Sequence, residues 1–274
     1  MSMPFYMSPE QTMRDKADYA RKGVARSRSS VALQYAGGIL MVTPNMSSVL
    51  HKISEIYDRI AFAAVGRYNE YEVLRKAGVT YADVTGYQFD RGDVTGRGLA
   101  NWYAQALGQN FSEPTGKPYE VEIVVAEVGL KPDGDQIYRI SWDGSVSDEP
   151  GFVAFGGQAD QVAAALKERF SDGMSLTEAL GAALAALAAP PTSGQASASN
   201  GAAQPELTAD KLEVAILDRA RPHRTFRRLQ GPRLEELIAE SRREPAETTP
   251  EPEETPGSDE PPTGPSAAGD GIPN

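Results

Sequence analysis

The stretch Ser29-Ser30-Val31-Ala32-Leu33-Gln34-Tyr35-Ala36-Gly37-Gly38-Ile39-Leu40-Met41-Val42 decides the fold. Val31, Leu33 and Tyr35 alternate with smaller or polar residues, Gly37-Gly38 permits a tight turn, and residues 39–42 resume an extended apolar run. That pattern predicts a β-hairpin. On its N-terminal side, Ser8-Pro9-Glu10-Gln11 has the form of a helix start: a serine cap, proline at the first helical position and glutamine three residues after the cap. Gly23 is the expected end of that helix. Its apolar residues Met13, Ala17, Ala20 and Val24 make a thin stripe, so the helix needs another surface for stability.

On the C-terminal side, residues 60–65 read as a buried strand. A helix from Asn69 runs through Leu74 and Ala77, and a second places Leu99, Trp102, Tyr103, Ala106 and Leu107 on one face. Period two then returns, with Tyr119, Val121, Ile123 and Val125 facing one way and Glu120 and Glu122 the other. A strand ends near Trp142, a turn falls at Asp143-Gly144, and residues 152–155 are expected to complete the same sheet segment. Another helix pair follows: one carries Val162, Leu166 and Phe170, and the other starts at the capping box Ser175-Leu176-Thr177-Glu178. A last strand pair (Leu212, Val214, Ile216; then residues 225–229) leads to a helix opened by Pro232. Strands, helix pair, strands, helix pair, strands: this grouping predicts an α+β layered domain with antiparallel sheets and outer helices, and not a doubly wound βαβ fold.

Composition bounds the rest. Of 274 residues, 40% are hydrophobic, enough for one sizeable core with loose ends. There is no cysteine, which excludes disulfides and thiolate metal sites and suits a reducing, cytoplasmic setting. No run approaches the roughly 18 apolar residues of a membrane span, and Met1 to Met7 lack a signal peptide's layout. The net charge of -11 argues against nucleic acid as partner. The expected division is a segment 1–8, a folded domain 9–242 containing a mobile Ala/Pro/Ser/Gly connection at 189–208, and a disordered acidic tail at 243–274.

Asp18-Tyr19-Ala20-Arg21, then Ser29 through Gly38, then Lys52-Ile53 and the strand ending at Gly66, together with Asp93-Val94-Thr95-Gly96-Arg97, resemble proteasome α subunits of the bacterial, actinobacterial type over residues 8–242. The resemblance implies a four-layer αββα sandwich of the N-terminal nucleophile hydrolase type. It also implies heptameric α rings, joined by the extra N-terminal helix and capping rings of catalytic β subunits.

Active members use an N-terminal threonine whose own amine serves as base. Matching the Tyr35-Ala36-Gly37-Gly38 turn to the β pattern puts Arg28 at the threonine and Pro44 at its supporting aspartate, so no catalytic residue is expected here. Lys52 matches the β catalytic lysine. In α subunits that lysine is associated with the pocket that receives an activator's C-terminal carboxylate, a task suited to a compact cation. Asp18 matches the pocket's acidic position, whereas Ser27 and Arg67 depart from a glycine and a leucine. The same resemblance makes Met1, Ser2, Met3, Pro4, Phe5, Tyr6, Met7 and Ser8 a gate segment. It names an AAA proteasomal ATPase and pupylated proteins as partners, and it implies no cofactor or metal.

Plainer readings stand beside these. Lys52 alone reads as a solvated surface lysine, and residues 1–8 as a frayed terminus. A competing enzyme reading makes Ser29 or Ser30 the nucleophile of a self-processed hydrolase. A third is a freestanding binding module. Arg91-Gly92-Asp93 reads as a turn and cap, Gly96-Arg97-Gly98 lacks the third glycine of a dinucleotide loop, and His51 and His223 are too far apart for a metal site or triad. Arg221, Arg224, Arg227 and Arg228 read as alternating charge on an exposed strand.

Overall fold

A computed structural model describes residues 8–189 and 207–243. The expectations for Met1 to Met7, for 190–206 within the connection and for 244–274 of the tail lie outside the described residues. The chain runs α1 (Pro9–Ala25), β1 (Ser30–Tyr35), β2 (Gly38–Pro44), β3 (Ile53–Tyr57), β4 (Ile60–Gly66), α2 (Tyr68–Gln88) and α3 (Gly96–Ser112). It continues with β5 (Val121–Glu127), β6 (Gln136–Ile140), β7 (Val146–Asp148), β8 (Phe152–Phe155), α4 (Ala159–Lys167), α5 (Leu176–Leu187), β9 (Leu212–Asp218), β10 (Phe226–Leu229) and α6 (Pro232–Ser241).

The strands form two antiparallel five-stranded sheets, ordered β10-β9-β2-β1-β8 and β3-β4-β5-β6-β7. The founding hairpin is as expected, with Tyr35 opposite Gly38 and Val31 opposite Val42. Residues 152–155 depart from expectation. They pair with β1, Val31 opposite Ala154, and so belong to the first sheet rather than to the segment that precedes them. Their backbone partners lie over a hundred residues back in the chain, which no local pattern reveals.

Alternation along the strands builds the layers. In β1 and β2, Val31, Leu33, Leu40 and Val42 turn outward against α4, α5 and α6, while Ala32, Ile39 and Met41 turn inward against the other sheet. In β4 and β5, Phe62, Ala64, Ile123 and Val125 meet α2 and α3, and Ala63, Val65, Val124 and Ala126 meet the first sheet. The result is helices, sheet, sheet, helices: the four-layer αββα sandwich. The inner strands β1, β2, β4, β5 and β9 are buried on both faces, which explains near-continuous apolar runs such as Gly38–Pro44.

The caps follow the sequence. Ser8 accepts from the Gln11 amide at the start of α1, and Ser175 and Glu178 complete the capping box of α5. The first helix, however, does not end at Gly23 but continues to Ala25. Gly23 serves close approach instead: a Cβ there would stand 2.3 Å from Glu120 Oε2. The buried stripe of α1 is also different from the apolar one, being Lys16, Ala20 and Val24, with Met13 exposed. Lys16 reaches the end of α3, where its Nζ donates to the carbonyls of Phe111 (3.3 Å) and Glu113. A cation at those carbonyls complements the C-terminal end of the helix dipole.

Candidate functional site

One end of the sandwich gathers the N-terminal end of β1, the C-terminal end of β2 and the N-terminal ends of β3 and β9. Pro44 pairs with Leu212 and Thr43 with Glu213, and Ala64 of β4 donates its amide to the Lys52 carbonyl at 3.0 Å. Lys52 therefore enters β3 anchored to β4 and facing the seam between the sheets. Its ammonium donates to the Pro44 carbonyl at 3.0 Å. Burial pushes the Lys52 pKa down; the Glu213 carboxylate opposes that shift and the Arg28 guanidinium adds to it. Arg28 itself is exposed, at the entrance to β1.

Glu213 is the charged centre of this end, and no spacing in the sequence announces it. It lies on the inward face of β9, 5% exposed. Oε2 accepts from Asn45 Nδ2 at 2.8 Å and from the Lys52 amide at 2.9 Å; Oε1 accepts from the Ile53 amide at 3.1 Å and from Arg228 Nη1. His51 Nδ1 stands 3.4 Å from Oε1, so this histidine is partly buried beside an acid and not a free surface group. Arg228 also donates to the Ile53 carbonyl at 2.8 Å, and Arg224 pairs with Glu55 at 2.5 Å. Two of the four clustered arginines thus tie β10 and its turn to the opposite sheet, where alternation alone reads as exposed charge.

The other residues singled out in the sequence fall as follows. Asp18 is exposed and pairs with Arg21 of its own helix at 3.2 Å, so within the chain it is not brought to Lys52. Its neighbour Tyr19 lies under the Lys117 ammonium, 5.6 Å from ring centre, and Lys117 joins Glu120 at 2.8 Å and also pairs with Glu70. Arg67 is half exposed, 3.5 Å from Glu120 and 3.9 Å from Glu70. Ser27 donates to the Val24 carbonyl at 2.6 Å, finishing α1. Ser8 is the cap described above.

Both candidate serines are engaged in hydrogen bonds within the fold. Ser29 Oγ accepts the Gln158 amide at 2.9 Å, and Ser30 Oγ is 2.6 Å from Thr43 Oγ1 in the buried interior. Both follow α1 in the chain, and the free amine that the N-terminal mechanism needs would require cleavage directly before one of them. Among the described residues, no group of three or more His, Asp or Glu is arranged to hold a metal, and no helix is long and apolar enough to cross a membrane.

Comparison with known proteins agrees with this architecture. The family model for proteasome subunits matches residues 24–200. The proteasome subunit alpha of Thermomonospora curvata is 64% identical over 240 residues, covering 88% of this chain and 99% of that protein. Those of Streptosporangium roseum (64% identical, 88% of each chain) and Thermobifida fusca (62%, 88% of this chain and 92% of that one) are similar over the same extent. With the sandwich, the extra helix ahead of β1 and these relatives in hand, the chain belongs to the proteasome subunit family, on its alpha side.

Proposed function

We propose that this chain is a non-catalytic wall and gate of a 20S proteasome core. Seven copies form a ring that caps the rings of catalytic β subunits. Residues 1–8 close the ring axis, and the Lys52 end of the sandwich receives the terminal carboxylate of an AAA ATPase that delivers pupylated proteins in the cytoplasm. Asp18 lines the same docking site from α1. In the isolated chain it is paired with Arg21, and it contributes to the site once neighbours assemble.

The observation that carries the reading is α1. Val24, in its last turn, is buried in the core between the two sheets, so the segment that a hydrolase of this fold must remove to free its nucleophile is here part of the body. Lys52 is the remnant best suited to binding: a desolvated ammonium held by one neutral carbonyl keeps donors for an incoming carboxylate.

Peptide hydrolysis by the purified chain, alone and with its β partner, together with intact mass, tests the reading. Inertness of the chain alone with residues 1–28 retained, and activity only with β, is the expected result. A chain that cleaves peptide by itself and begins at Ser29 or Ser30 overturns it and restores the self-processed hydrolase. The docking part is tested by Lys52→Ala, which should abolish stimulation by the ATPase and leave basal peptide hydrolysis intact.

A further inference from the structure

Glu213 and Lys52 carry opposite charges at the same end of the seam, yet their charged groups are not the ones hydrogen-bonded to each other. The carboxylate takes the backbone amides of Lys52 and Ile53 (2.9 and 3.1 Å), the Asn45 amide and the Arg228 guanidinium, while the ammonium goes to a carbonyl, Pro44 O, at 3.0 Å. The four donors, two on each oxygen, fill the lone-pair sites of a carboxylate. The lysine uses one of three donors on a neutral partner. The cations facing the ammonium or this carboxylate are Arg28, Arg228 and, when protonated, His51, against one acid. With Lys52 itself counted, this end of the seam therefore carries more positive than negative charge.

We propose that Glu213 is the positioning residue of the Lys52 site: it fixes both ends of the 45–53 segment through backbone and amide donors, and so holds the ammonium in place without neutralising it for a partner's terminal carboxylate. This rests on the reading of Lys52 as the docking lysine. A carboxylate paired directly with Lys52 would compete with the ligand; one spent on the backbone does not. The incoming carboxylate offsets part of that positive charge and meets a lysine that is already ordered, which reduces the entropy lost on binding.

The test uses assembled α and β rings and, as probe, a fluorescent peptide of the last ten or so residues of the proteasomal ATPase, as free acid and as C-terminal amide. In wild type the free acid should bind more tightly. Glu213→Gln, which keeps shape but turns an amide toward donors, should weaken the free acid about tenfold and leave the amide unchanged. It should also lower the pH at which the Lys52 amine becomes reactive toward an acylating reagent, because the opposing acid is gone. Should Glu213→Gln fail to assemble, Glu213→Asp, which withdraws the carboxylate by one methylene, decides by the same readouts. Equal binding by the Glu213 variants and wild type, with Lys52→Ala weakened, overturns this inference alone; no effect of Lys52→Ala overturns the docking reading beneath it.

Discussion

Arg219 and Asp135 meet as a bidentate pair, Nη1 to Oδ1 at 2.7 Å and Nη2 to Oδ2 at 2.8 Å, joining the end of β9 to the start of β6. Asp135 is 1% and Arg219 13% exposed, and Arg219 also donates to the Gly129 carbonyl at 2.8 Å. Removing one partner leaves a buried charge unpaired, which costs roughly 3–5 kcal/mol. Asp135→Ala should therefore lose most of that amount in urea unfolding at fixed protein concentration. Replacing both residues with apolar ones should recover part of the loss. A loss below about 1 kcal/mol for the single variant would show the pair to be solvent-screened.

Gly78 lies in the middle of α2, where alanine normally adds about 1 kcal/mol of helix stability. Here a Cβ would stand 1.9 Å from the hydroxyl of Tyr103, which is fully buried against Phe62 and Trp102. Gly78→Ala should reverse the usual sign and destabilise by about 1–3 kcal/mol through overpacking. Gly78→Ala combined with Tyr103→Phe should restore part of it, measured by the same unfolding curves.

Lys16 anchors α1 to the last carbonyls of α3. Lys16→Met keeps the apolar stem and removes the cation. The first helix should then lose protection in hydrogen exchange while the two sheets keep theirs. Unchanged exchange in α1 would refute the anchoring role.

Two glutamates should titrate with opposite sign. Glu127 sits at the start of α3, accepting from the Gly96 amide at 2.7 Å, and burial raises its pKa above the usual value near 4.5. Its folded pKa exceeds the unfolded one, so its contribution to stability grows as pH falls through the raised pKa and is smallest at neutrality. Glu72, hydrogen-bonded by both Arg75 Nε and Nη2 at 2.8 Å, has a lowered pKa; its contribution is present above the unfolded value and is lost as pH falls through the folded one. Glu127→Gln should thus lose stability relative to wild type on acidification, and Glu72→Gln should gain on it, in unfolding curves taken between neutral pH and the carboxylate range.

The layers were legible because each central strand repeats with period two: Val31, Leu33, Leu40 and Val42 go to one core and Ala32, Ile39 and Met41 to another. Helix starts at Ser8 and Ser175 were legible because capping is local chemistry. What escaped depends on contacts between distant segments. β3 is five residues with a register shift between Glu55 and Tyr57, too short and irregular for a period. β8 takes its sheet from β1. Glu213 in Leu212-Glu213-Val214 looks like the wet side of an alternating strand, and only the opposing sheet makes it a buried centre. The site was half visible: Lys52 through resemblance, the acid that holds its backbone not at all.

Val24 gives the first helix a meaning beyond attachment. Its side chain shares one hydrophobic cluster with Ala32, Ile39, Val65 and Phe155, so the stem leading into β1 works as a stopper in the mouth of the molecule. Trimming the chain back to Ser29 would uncork that cluster and wet it. Loss of the first helix therefore costs the interior as well as the surface, and the body of the molecule is complete only with its cork in place.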